Sequence, residues 1–162
     1  MSEIDDLLNK VDEFPIQQGQ PGAPRRRLVI LTCMDARIDP AAILGLNEGD
    51  AHIIRNAGGI ATEDAIRSIA MSQRLLDTTA ILVIQHTGCG IHAVEPADLI
   101  DRIATETGDR PQWQAPVSPT PEETLQQTLG ILRSATAIPH RDLIAGTVID
   151  LIGSGDRAPV GS

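Results

Sequence analysis

Aromatic side chains are nearly absent from this 162-residue chain, which has one Trp, one Phe and no Tyr. With 41% apolar residues it can still bury a core, but that core must be aliphatic, built from Ile, Leu, Val and Ala. Basic residues are scarce as well: 13 Lys and Arg against 22 Asp and Glu leave a formal charge of −9. That sign argues against nucleic acid and anionic membrane as partners, because phosphate binding needs Lys and Arg. Long apolar runs are missing too. The strongest, Ala80 to Ile84, is far too short to span a bilayer. The acidic start, Met-Ser-Glu-Ile-Asp-Asp, lacks the basic-then-apolar pattern of a secretory signal. Two cysteines do not make a disulfide framework. The expectation is a soluble cytoplasmic protein with reduced thiols, its length that of one domain.

Residues Glu3 to Phe14 carry Ile4, Leu7, Leu8, Val11 and Phe14 at helical spacing. This amphipathic helix and the Gly- and Pro-rich arm from Gln17 to Pro24 make an N-terminal unit, 1–24, ahead of an α/β core, 25–162. The arm suggests that the helix packs at a distance, on another subunit. Within the core, Arg27 to Thr32, His52 to Arg55, Ala80 to Gln85 and Asp142 to Leu151 read as strands. A helix capped by Thr62 runs to Leu76, one opened by Pro96 runs to about Glu106, and one follows the Thr120-Pro-Glu-Glu123 capping box. Leu125, Leu129 and Leu132 give that last helix its buried face. Gly108 to Pro119 is an irregular loop, and Gly153-Ser-Gly-Asp156 turns the chain back. Strands alternating with helices predict a mainly parallel β-sheet flanked by helices. Ligands of such sheets bind beyond the C-terminal strand ends, where Cys33 and His86 fall.

Both cysteines belong to short chemistry-bearing segments, Leu31-Thr-Cys-Met-Asp-Ala-Arg37 and Val83-Ile-Gln-His-Thr-Gly-Cys-Gly90. Cys33, His86 and Cys89 together make the ligand set of a zinc site with three protein ligands and an open fourth place. Two thiolates offset the charge of the ion and acidify its water less than three imidazoles would. A second group must then help, and Asp35 is placed to do so, paired with Arg37 two residues on. Arg37 would act as a latch: paired, it holds Asp35 off the metal, and released, it lets Asp35 become a fourth ligand. The competing readings are two buried cysteines without metal, a redox pair, and a closed structural zinc site with Asp35 as permanent ligand. Asp35 and Arg37 as an ordinary surface pair is a further competing reading, against which the joint occurrence of all five residues counts. His92 is a candidate proton shuttle, or an exposed histidine at a helix start. His52 reads as structural, and His140 has no supporting context.

Cys33-Met-Asp35-Ala-Arg37 and the later His86-Thr-Gly-Cys89-Gly90, linked by Arg55-Asn-Ala-Gly-Gly59, resemble the β-class carbonic anhydrase pattern of compact prokaryotic type. The resemblance is close from Arg27 to Gly90 and looser from Gly146 to Leu151. It implies a β-carbonic-anhydrase-like α/β fold, a homodimer or dimer of dimers, and one Zn2+ per subunit. It implies reversible hydration of carbon dioxide to bicarbonate and a proton through zinc-bound hydroxide. Cys33, His86 and Cys89 would be the zinc ligands, and Asp35 and Arg37 the catalytic dyad. Gly58, Gly59 and Gly90 would line the substrate pocket with backbone donors. The chain departs from the pattern in having Arg25-Arg-Arg27 where many members place a Gln, and in lacking a pocket Tyr. Its pocket should be aliphatic, from Ile60, Ala61 and a neighbouring subunit. That departure keeps hydrolysis of carbonyl sulfide or carbon disulfide as an alternative, and a non-catalytic zinc-stabilised protein as another.

Overall fold

The computed structural model describes residues 2–14, 21–113 and 118–153. These form α1 (Glu3–Glu13), β1 (Leu28–Cys33), α2 (Pro40–Leu44), β2 (Ala51–Asn56), α3 (Glu63–Leu75), β3 (Ala80–His86), α4 (Pro96–Thr107), α5 (Pro121–Ser134) and β4 (Ile144–Ile149). The strands lie in the order β2-β1-β3-β4, and every pairing is parallel. Parallel strands need crossovers: α2 lies between β1 and β2, α3 between β2 and β3, and α4 and α5 between β3 and β4. Ala65 and Ile69 of α3 and Leu125, Leu129 and Leu132 of α5 pack on Val29, Leu31, Ile81, Val83, Ile144 and Val148 of the sheet. The core is aliphatic, as the composition requires. Ile30 is as fully buried as its neighbours but stands apart from that cluster, on the opposite face of β1. A strand covered on both faces reads as an unbroken apolar run, which is why β1 was legible without alternation.

Local chemistry sets the boundaries. The Thr62 hydroxyl accepts from the Ala65 amide and the Thr120 hydroxyl from the Glu123 amide, capping α3 and α5. Arg27 is not part of β1. It sits at φ 52, and its carbonyl accepts from the Thr79 and Ala80 amides, so the strand begins at Leu28, one residue later than predicted. β4 starts at Ile144 and ends at Ile149, short of the predicted Leu151, because the Asp150 carboxylate accepts from the Ile152 and Gly153 amides and closes a turn there. The short helix α2 escaped the sequence reading. Asp39 caps two of its amides, Pro40 opens it, and Gly45 ends it at φ 62; those residues carried the signal.

The exposed apolar side chains Ile4, Leu7, Leu8, Val11 and Phe14 of α1 and its C-cap leave this face without cover. Residues 17–20 of the arm and 154–156 of the expected final turn lie outside the described residues, as do residues 114–117 of the loop. Among the described residues no helix is long and apolar enough to cross a membrane.

Candidate metal centre

Cys33 ends β1 and His86 ends β3, and these strands are neighbours, so sheet register alone brings both to one edge. The chain then turns through Gly88, at φ 65, and returns Cys89 to the same place. The ligand atoms of Cys33, His86 and Cys89 lie within 4.8 Å of one another, and all three residues are buried. The two Sγ atoms are 3.8 Å apart and the thiols are free. A disulfide would need about 2.05 Å. Two sulfurs each about 2.3 Å from a tetrahedral zinc stand about 3.8 Å apart. His86 Nδ1 lies 3.1 Å from the Thr87 carbonyl, which fixes the ring and leaves its Nε2 buried with no hydrogen-bond partner among the described residues. A buried imidazole nitrogen in that state calls for an occupant. Two soft sulfurs and one ring nitrogen at this spacing fit zinc.

Burial shifts the protonation of these groups. It pushes the His86 pKa down, so the ring is neutral, as a metal ligand must be. It pushes the Cys89 thiol up, so in the metal-free chain that proton is retained. Asp35 Oδ2 lies 3.9 Å from His86 Nε2, too far to hydrogen-bond. Asp35 instead faces Arg37: its Oδ1 accepts from Arg37 Nε at 2.9 Å, and its Oδ2 accepts from Nη2 at 2.7 Å. The Arg37 amide adds a third bond to Oδ1 at 3.0 Å. The Arg37 side chain, then its amide, hold the Asp35 carboxyl far below the usual carboxylate range. Arg37 is raised in return, chiefly by its hydrogen bond to Asp35. The carboxylate is thus ionised, and Arg37 holds it beside the ligand atoms.

The guanidinium is itself anchored. Arg37 Nη2 donates to the Gly88 carbonyl at 2.9 Å, tying the first signature to the second. Arg55, which sequence reasoning passed over, donates to the carbonyls of Cys33 at 3.1 Å and Asp35 at 2.7 Å, fastening the turn between them. Gln85 was also missed. Its Nε2 donates to the carbonyls of Gly58 and Gly59 at 3.0 and 2.8 Å. Of the predicted substrate-lining glycines, Gly58 and Gly59 are buried and Gly90 is exposed. The Gly59 amide is already committed to the Asn56 carbonyl at 3.2 Å, so it is not a free donor. Ile60 is buried and Ala61 half-buried, next along the same segment.

The remaining histidines are sorted by their contacts. His52 bridges the Ser72 hydroxyl at 2.8 Å and the Gly22 carbonyl at 2.9 Å, a structural role as expected. His92 is half-buried in the turn before α4, with Nε2 3.4 Å from Thr124 Oγ1. It is therefore neither exposed nor at a helix start.

A parallel α/β sheet that gathers two thiols, an imidazole and an arginine-held carboxylate at its C-terminal edge is the framework of a mononuclear zinc enzyme. The carbonic anhydrase family model matches residues 28–140. The chain is 39% identical over 153 residues to Beta-carbonic anhydrase 1 of Mycobacterium tuberculosis, covering 93% of this chain and 94% of that one. It is 42% identical over 88 residues to carbon disulfide hydrolase of Acidianus, a match spanning 54% of this chain and 43% of that one. The structure superposes on carbonic anhydrase from Streptococcus mutans with a TM-score of 0.84 at 32% identity, covering 99% of each chain. The chain belongs to the β-class of the carbonic anhydrase family.

Proposed function

We propose that this chain catalyses the reversible hydration of carbon dioxide to bicarbonate and a proton, with Cys33, His86 and Cys89 holding one zinc ion per subunit. The observation that carries the assignment of residues is the convergence of the three ligand atoms, with the Asp35–Arg37 pair beside them. Zinc, when bound, supplies the Lewis acidity that makes a nucleophile of water near neutral pH. The chain's own residues do the rest. Asp35, kept ionised by Arg37, accepts a hydrogen bond from the nucleophile and sets its direction. Arg37, anchored on Gly88, keeps Asp35 from swinging onto the metal. Gly58, Gly59, Ile60 and Gly90 bound the space for a small apolar substrate. Burial lowers the His86 pKa, which favours the neutral ring that a metal ligand needs.

The test is stopped-flow hydration at pH 8 to 9 on zinc-loaded protein. Asp35→Ala should lose activity at least about 100-fold while keeping its zinc. Full activity in that variant removes Asp35 from the mechanism, and a purified chain without stoichiometric zinc removes the ligand assignment. The carbon disulfide hydrolase relatives share much of the core sequence, so hydrogen sulfide release from carbon disulfide belongs in the same assay. Sulfide release with negligible carbon dioxide hydration would reverse the substrate assignment.

The chain acts as one cytoplasmic domain in a homodimer or dimer of dimers, with α1 as the exchanged element. What supports the α1 contact is its uncovered apolar face, which a second subunit can bury. Deleting residues 1–20 should lower the mass seen by light scattering. An unchanged mass would remove α1 from the interface.

A further inference from the structure

Gln85 stands next to His86 on β3 and is fully buried. Burying a side-chain amide is costly unless its bonds are made. One end of this amide is fully used: Nε2 donates to both the Gly58 and Gly59 carbonyls. The other end is not, for Oε1 is buried with no partner among the described residues. Rotating the amide would remedy nothing, because it would set an oxygen against two carbonyl oxygens. The sequence thus keeps a half-satisfied polar group in the sheet beside the metal centre, for the sake of two bonds to one turn.

That turn is pressed against a ligand. Gly58 and Gly59 have φ of 82 and 60, and a Cβ on Gly59 would meet the Cys33 nitrogen at 2.7 Å and the Thr32 carbonyl carbon at 2.8 Å. The Asn56 side chain holds the turn's own shape through the Ile60 amide and carbonyl, and the Met34 amide donates to the Asn56 carbonyl. Those bonds tie the turn to β2 and to the chain just after Cys33. Gln85 ties it to β3. Cys33 comes from one strand and His86 from another, and the glycine turn with its amide clamp is a brace from one to the other.

We propose that Gln85 is a positioning residue that fixes the Gly58–Gly59 turn against the Cys33 peptide, and so sets the placement of the Cys33 sulfur relative to His86 and Cys89. The inference rests on the reading of those three residues as zinc ligands. Outer partners of metal ligands are worth about 10- to 100-fold in metal affinity or activity, which sets the scale of the effect.

The test uses zinc- and cobalt-loaded full-length chain. Gln85→Met keeps the volume and removes the clamp; Gly59→Ala pushes the same turn from the Cys33 side. In each, the cobalt d–d and thiolate charge-transfer bands should shift, and zinc release to a chelator should quicken at least tenfold. A purely structural role would lower the melting temperature and leave both readouts alone. The unmodified chain gives an independent measure: zinc loading should slow amide exchange at Gly59 and Ile60 at least tenfold. Wild-type bands and release rates in a folded Gln85→Met chain overturn the inference, as does exchange at the turn that ignores zinc. A wild-type chain that binds neither zinc nor cobalt overturns the ligand reading instead, so the two failures are distinct.

Discussion

Replacing Gly88 with alanine perturbs the joint between the two signatures, and the structure gives the size of the effect. Gly88 sits at φ 65, where an L-residue suffers roughly 1–2 kcal/mol from contact between its Cβ and the following carbonyl. The new Cβ would also lie 2.6 Å from Ile152 Cγ2. Ile152 is 63% exposed, so its side chain can swing away at little cost. Most of the loss should therefore be conformational, giving about 1–2 kcal/mol in all. For a chain of this length that is roughly 2–8 °C in melting temperature. Calorimetry on zinc-loaded Gly88→Ala, Ile152→Ala and the double variant separates the parts. The backbone share should persist when Ile152 is removed, and only the small contact share should vanish. Activity should fall with stability, because the Gly88 carbonyl is an acceptor for Arg37 and moves with the backbone. If Gly88→Ala is as stable as wild type in both backgrounds, the reasoning from φ is wrong. If the whole loss disappears with Ile152→Ala, the steric contact was the cause and the backbone was not.

Two further outcomes concern protons. Asp50 is buried, accepts from the Asn47 amide at 2.9 Å and pairs with Arg25 at 3.0 Å and Arg26 at 3.4 Å. The Asn47 bond, then the arginines, lower its pKa below the unfolded value. Its contribution is thus present above about pH 4 and is lost as pH falls through the folded value. Asp50→Asn should melt below wild type at pH 7, with the gap closing under pH 4; a gap that does not depend on pH would refute the assignment. Burial holds His86 neutral and keeps the Cys89 thiol protonated in the metal-free chain. Zinc must therefore displace the Cys89 proton, and competition titrations should show affinity rising steeply from pH 6 to pH 8. A flat affinity over that range would mean Cys89 is not a ligand.

The parts of this protein that could be read in its sequence are those whose cause is local or periodic. β1 and β3 stood out because strands buried on both faces need unbroken apolar runs, and α3 and α5 because Thr62 and Thr120 cap them. The residues that the structure gathers at the sheet edge, Cys33, Asp35, Arg37, His86 and Cys89, were legible because reactive chemistry uses few residue types and this chain has only two cysteines to place. The tertiary structure decided what depends on atoms from distant segments. That Arg37 grips Gly88, that Arg55 fastens the Cys33–Asp35 turn and that Gln85 clamps Gly58 and Gly59 are facts of strand order and register. A buried glutamine or a strand-end arginine has no periodicity to announce it. Its partner lies tens of residues away and becomes a neighbour only when parallel strands align their ends.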